Sequence, residues 1–225
     1  MRPTHKCLTP KHPKSKNMKT SLIILLLFPF FFLNAQVNAY EDVGLYNKGK
    51  EYFDNGNYEM AIDYFTKALT FNHGNSIYYY QRGISYFKME KFDLAVSDFK
   101  HCYEMLPDES EYPYLIGICF EKLGNFEQSL ENYTNAIEIF PSDYNYYKRR
   151  ASLCYKMQNY QKAIDDYNSA ITLSPNDGSS YYYRGVAKYK LNNKEGACID
   201  WNSAVANSFK EASEYIEKIC IKTTN

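Results

Sequence analysis

Beyond residue 40, the side chains that could do chemistry are five cysteines, two histidines, carboxylate pairs such as Asp165-Asp166, and evenly spaced lysines and tyrosines. Cys102, Cys119, Cys154, Cys198 and Cys220 could serve as thiolate nucleophiles or metal ligands, and either role needs a partner at short spacing. No Cys-x-x-Cys occurs, and His73 and His101 share no ligand spacing with the cysteines. No metal or other cofactor is therefore expected. The chain also has no Gly-x-Ser-x-Gly, no His-Glu-x-x-His and no glycine-rich phosphate loop. Asp165-Asp166 reads as a solvated helix face. The protein is expected not to be an enzyme.

The lysines and tyrosines suggest recognition instead. Lys88, Lys122, Lys156 and Lys190 recur every 34 residues, with Tyr80, Tyr114 and Tyr182 on the same beat. Ammonium groups pair with carboxylates, and phenol rings give a wide contact at low entropy cost. A second reading places the lysines at helix ends, where cations favour the dipole and aid solubility.

The elements that position these residues repeat without a slip from about residue 42. Gly49, Gly83, Gly117, Ala151 and Gly185 are 34 apart, as are Ala61, Ala95, Ser129, Ala163 and Ala197. Phe65, Phe99, Tyr133, Tyr167 and Trp201 follow, then Ala68, Cys102, Ala136, Ala170 and Ala204, with Pro107, Pro141 and Pro175 closing three units. Apolar and small residues lie at helical spacing on either side of Asp54-Asn-Gly-Asn57, which is turn chemistry, so each unit is a helix hairpin. Two helices approach to about 8–10 Å only where a face is trimmed. Gly49, Ala61 and Ala68 trim it in the first unit, and Tyr52 and Phe65 fill the space beside them.

A 34-residue period with this small–aromatic–small–proline order resembles the tetratricopeptide repeat (TPR) family. The resemblance covers units 42–75, 76–109, 110–143, 144–177 and 178–211. It implies an all-α, right-handed α-solenoid of five hairpins, closed by a cap helix over 210–222. It also implies a protein-interaction scaffold whose first helices line a concave groove. Numbering slots from the first residue of each unit, slots 2, 5, 6, 9, 12 and 13 face that groove in the family. Carried onto this chain, they give Tyr46, Lys50 and Phe53; Tyr80, Ile84, Phe87 and Lys88; and Tyr114, Ile118 and Lys122. The last two units give Lys148, Arg149, Tyr155 and Lys156; and Tyr182, Val186, Tyr189 and Lys190. Lys148 and Arg149 stand out as binding candidates, and the partner expected is an acidic protein or peptide. The alternative is a glycan or cell-wall fragment stacked on the tyrosine row. The carboxylate clamp that some relatives use for chaperone C-termini needs an asparagine at slot 9, which here holds Lys50, Ile84, Ile118, Ser152 and Val186. The clamp is absent.

Residues 1–35 carry six bases and no acid, so the rest of the chain holds six more acids than bases, which excludes an electrostatic case for nucleic acid. Lys14, Lys16 and Lys19 precede a twelve-residue apolar run from Leu22 to Leu33, with small-residue cleavage sites at Ala35 and Ala39. This order reads as a signal peptide over 1–39. The run is too short, and too interrupted by Pro29, for a stable membrane span of about 20 residues. Met18 opens a compact signal of its own, so 1–17 reads as an upstream start. Leu-Asn-Ala-Gln at the boundary resembles exported Bacteroidetes proteins and implies the periplasm or cell envelope. Gly196-Ala-Cys-Ile-Asp-Trp201 with Cys220 resembles the closing segment of TPR proteins from that group and implies a Cys198–Cys220 disulfide. Cys102 and Cys119 are read as buried thiols, with a bridge between them as the alternative. The polar cap argues for a monomer within a larger assembly over end-to-end stacking.

Overall fold

The computed structural model describes residues 41–221; the segment read as a signal peptide lies outside the described residues. Helix α1 runs over 41–54. It is followed by α2 (Tyr58–Phe71), α3 (Ser76–Lys88), α4 (Phe92–Met105), α5 (Glu111–Leu123) and α6 (Phe126–Ile139). Next come α7 (Tyr144–Lys156), α8 (Tyr160–Leu173), α9 (Gly178–Lys190) and α10 (Lys194–Ala206). Each odd-numbered helix packs on the even one after it, and that one packs on the next hairpin, so the chain is an all-α solenoid. The C-terminal segment is α-helical over Ala212–Tyr215 (α11) and widens into a π-turn over Ile216–Cys220 that rests on α10.

The turn inside each hairpin has one backbone solution, repeated five times. Gly56, Glu90, Gly124, Gln158 and Asn192 all occupy slot 15, and all have φ between 58° and 80°. Left-handed backbone costs a side-chain-bearing residue about 1–2 kcal/mol, so three of the five turns hold strain. Asn57, Asn75, Asp143 and Asn193 each cap the following helix, their side chains accepting from its first free N–H groups.

Small-against-aromatic contacts join the two helices of a hairpin. Phe65, Phe99, Tyr133 and Trp201 are buried against Gly49, Gly83, Gly117 and Gly185. A methyl on Gly117 would sit 2.6 Å from the Tyr133 ring, and one on Gly83 would sit 2.8 Å from Phe99. The helices are as close as they can be.

A polar tie crosses the same hairpins. Arg82, Arg150 and Arg184 at slot 7 each grip Asp98, Asp166 and Asp200 at slot 23 through two parallel hydrogen bonds. The free guanidinium nitrogen reaches back to Thr66, Thr134 or Asn168 on the preceding hairpin. Each arginine thus fixes its own hairpin and the junction before it. Asp166 is buried in this tie, which corrects its reading as a solvated residue. Its neighbour Asp165 is exposed. Asp200 also meets Lys188 at 2.9 Å, which explains a lysine at an aromatic slot. In unit three, Ile116 and Asn132 replace the ionic pair, and Ile116 joins Phe99, Cys119 and Phe120 in a large apolar cluster.

Cys198 and Cys220 are joined by a disulfide with Cα atoms 5.8 Å apart, which staples the C-terminal segment to α10. Tyr215, Ile216 and Ile219 pack there with Trp201, Phe209 and Tyr182. Cys102, Cys119 and Cys154 are buried free thiols. Burial pushes the first two up to about 12 and raises the third.

Candidate partner-binding groove

The tyrosines at slot 5 are part of the packing. Tyr46 stacks on Tyr78, Tyr80 meets Tyr112 edge-on, and Tyr114 lies against Tyr146, with ring centroids 5.2, 6.2 and 4.8 Å apart. In each pair the second ring sits at slot 3 of the next unit. The row read as a stacking platform therefore welds successive hairpins together. Tyr80 also donates to Glu111 at 2.8 Å, and burial with that contact pushes its phenol up. Tyr182 does the same job against Phe209 and Tyr215 of the C-terminal segment.

Unit four breaks this pattern. Slot 5 is Lys148, and slot 3 of the following unit is Ser180, so neither ring is present. Lys148 instead donates to Ser179 and pairs with Asp177 at 2.8 Å. Burial opposes ionisation of Asp177, but Lys148, Ser180 and Ser179 outweigh it and hold its pKa below the usual carboxylate value. Ser180 is turned onto the same carboxylate. Ser180 is itself fully buried, whereas Lys148 borders an opening. A hollow of about 490 Å³ lies there, walled by Tyr114, Asn145, Lys148, Arg149, Ser152, Tyr167 and Tyr183.

Arg149 spans one wall of the hollow. It pairs with Glu121 across the junction at 3.6 Å, too long for a hydrogen bond. Tyr133 donates to the same Glu121 oxygen at 2.9 Å, and that oxygen is the one facing Arg149. The Nε of Arg149 is buried with no hydrogen-bond acceptor in reach, while the side chain as a whole is 39% exposed. Burial disfavours its charge, but Tyr133, Glu121 and Tyr114 more than offset this. Arg149 thus lines the hollow as a partly exposed cation that is only loosely paired.

Of the residues expected in the groove, Tyr114, Lys148 and Arg149 line the hollow, and the others do not. Lys88, Lys156 and Lys190 are the exposed last residues of α3, α7 and α9, and Lys122 is exposed one residue before the end of α5. These are dipole positions, and Lys156 lies over the Phe126 ring at 4.6 Å. Lys50 is exposed, Phe53 meets Tyr58 edge-on, and Tyr155 packs on Tyr160. Tyr189 is 42% exposed and touches Trp201. Ile84 and Phe87 are half-buried against the large apolar cluster, Val186 against Trp201 and its neighbours, and Ile118 is half-buried too. Asn145, Ser152 and Tyr183 were not singled out, although they occupy slots 2, 9 and 6 of the same scheme.

Two tetratricopeptide-repeat family models match the chain, one at residues 43–75 and 144–177, the other at 77–109 and 111–143. The chain belongs to the tetratricopeptide-repeat family. The fifth TPR unit, outside the matched spans, is carried by the α9–α10 hairpin and its Arg184–Asp200 tie. Similar solved TPR structures include a MamA protein at TM-score 0.68 and 19% identity, covering 73% of this chain and 96% of that one. MamA from Desulfovibrio magneticus RS-1 gives 0.69 and 16%, covering 75% and 95%. YrrB, described as a TPR protein with an unusual peptide-binding site, gives 0.68 and 17%, covering 84% and 97%. At these identities the likeness establishes the fold alone. No curated protein matches this sequence. Among the described residues no helix is long and apolar enough to cross a membrane, and no cluster of His, Cys, Asp and Glu could hold a metal ion.

Proposed function

We propose that this protein is an exported interaction scaffold that holds a segment of a partner protein in the groove formed by its odd-numbered helices, centred on the hollow between units four and five. The observation that carries the reading is the replacement of the slot 5 tyrosine by Lys148 beside a hollow that Arg149 also lines, its side chain 39% exposed and only loosely paired with Glu121. A solenoid with such an opening suits recognition, because the scaffold is ordered before the partner arrives. YrrB, of the same fold, is described as binding peptide, which is in keeping with this use. Export is supported by the N-terminal pattern and by the Cys198–Cys220 disulfide, since disulfides persist outside the reducing cytosol.

A photo-crosslinking amino acid placed at Tyr183 in the hollow, or at Ile199 on the exposed face of α10, tests this in living cells. The expected result is a discrete crosslinked partner from position 183 and none from 199. Equal crosslinking from both positions, or none from 183, would refute the groove.

A further inference from the structure

The hollow identifies which slots face the groove, and the repeat then gives the rest of its surface. Its walls include slot 2 (Asn145), slot 5 (Tyr114 and Lys148), slot 6 (Arg149 and Tyr183) and slot 9 (Ser152). The residues one and two periods earlier face the same way. At slot 2 of unit two stands Ile77, 53% exposed, and at slot 9 stand Ile84 and Ile118, both partly exposed. Leu115 holds slot 6 of unit three and packs against the apolar cluster with part of its surface open. Unit four carries no aliphatic residue at any of these four slots; it has Asn145, Lys148, Arg149 and Ser152.

The groove thus changes character along its length. Units two and three present a strip of Ile77, Ile84, Leu115 and Ile118 interspersed with Tyr80, Gln81, Glu111 and Tyr114, and the strip ends at a hollow lined by Lys148 and Arg149. The two cations of that hollow differ. Lys148 is satisfied by Asp177 and Ser179, whereas Arg149 is 39% exposed and has only a loose pairing to Glu121. A guanidinium has five N–H donors in a fixed fork suited to a carboxylate.

We infer that the partner segment is bipartite: aliphatic side chains lie on Ile77, Ile84, Leu115 and Ile118, and an aspartate or glutamate side chain beside them enters the hollow and pairs with the exposed part of the Arg149 guanidinium. This rests on the groove reading given above and adds the composition and order of the ligand. Aliphatic strip and carboxylate site are adjacent, so neither a purely acidic nor a purely apolar segment satisfies both. A loose Arg149–Glu121 contact also becomes intelligible, as a guanidinium held in place but not saturated.

The test is selection of a displayed random-peptide library, with no free C-termini, on the full chain, followed by titration of the enriched peptides as synthetic probes. Enriched sequences should combine aliphatic residues with an Asp or Glu at a constant offset. Arg149→Gln should weaken them about tenfold or more, the size expected for loss of a charged hydrogen bond. Paired Ile84→Ser and Ile118→Ser should weaken them as well, with helicity by circular dichroism unchanged. Ser152→Trp, which fills the hollow, separates the two levels of the argument. Peptides that Ser152→Trp displaces but that lack an acid, or that bind Arg149→Gln undiminished, overturn the bipartite ligand and leave the groove standing. No enriched peptide, or peptides indifferent to Ser152→Trp, would overturn the groove itself.

Discussion

Arg150 on α7 grips Asp166 on α8 with two parallel hydrogen bonds, Nε to Oδ2 at 2.9 Å and Nη2 to Oδ1 at 2.7 Å, and its third nitrogen donates to Thr134 on the preceding hairpin at 2.9 Å. One side chain thus ties three helices. Removing one partner of a buried pair leaves a charge without compensation, which costs about 3–5 kcal/mol when burial is complete. Here the arginine is 22% exposed and the aspartate 11%, so the cost shrinks. Asp166→Ala should lower stability by about 2–3 kcal/mol, read as an earlier urea midpoint. Combining it with Arg150→Met should recover part of that loss. Unit three already does without the ion pair, using Ile116 and Asn132.

The small-against-aromatic seams predict opposite outcomes for one chemical change. Gly117→Ala drives a methyl to 2.6 Å from Tyr133 and should destabilise by about 1–3 kcal/mol. Gly44→Ala meets nothing within 4 Å on a helix and should raise stability by up to about 1 kcal/mol. Thermal unfolding of the two variants checks both signs.

The left-handed turns offer a gain. Glu90 and Gln158 occupy slot 15 with φ of 58° and 61°, where units one and three use glycine. Replacing either with glycine removes about 1–2 kcal/mol of strain and adds some freedom to the unfolded chain. A net gain of about 0.5–1 kcal/mol is expected. A lower melting temperature in both variants would refute the strain.

Thiol chemistry follows burial. With Cys102 and Cys119 pushed up to about 12 and Cys154 raised, none should be alkylated in the native protein at mildly alkaline pH. Peptide mapping should find label on all three only after unfolding. The unfolded thiols ionise near about 8.5. Their contribution to stability is therefore complete below that pH and declines as pH rises toward 12. Separately, reducing Cys198–Cys220, a pair 22 residues apart, should cost about 3 kcal/mol through loop entropy and free the C-terminal segment for proteolysis.

Much of the solenoid was legible because its signal is repeated. Gly83 and Phe99 stand at slots that recur in every unit, and a period of small and aromatic residues has one simple packing solution. The Arg–Asp tie has the same 34-residue recurrence, in Arg82, Arg150 and Arg184, but charged residues at helical spacing look like surface in sequence alone, and Asp166 is buried only because Arg150 meets it from the facing helix. The site was harder for a physical reason. A hollow is defined by what is missing, here a ring at slot 5 of unit four, and its walls come from three different hairpins. Lys148 and Arg149 stand out in the sequence, but the residues that complete the walls do not. Tyr183, Asn145 and Ser152 become meaningful once that opening exists.

The central claim is that a partner enters the hollow between units four and five. Its most direct test is the affinity of the crosslinked partner, once purified, for three versions of the protein: unaltered, Ser152→Trp, and Ile199→Trp on the opposite face. Loss of about tenfold or more in affinity for Ser152→Trp, with Ile199→Trp unchanged, is the result predicted here. Equal affinity for all three would contradict the account.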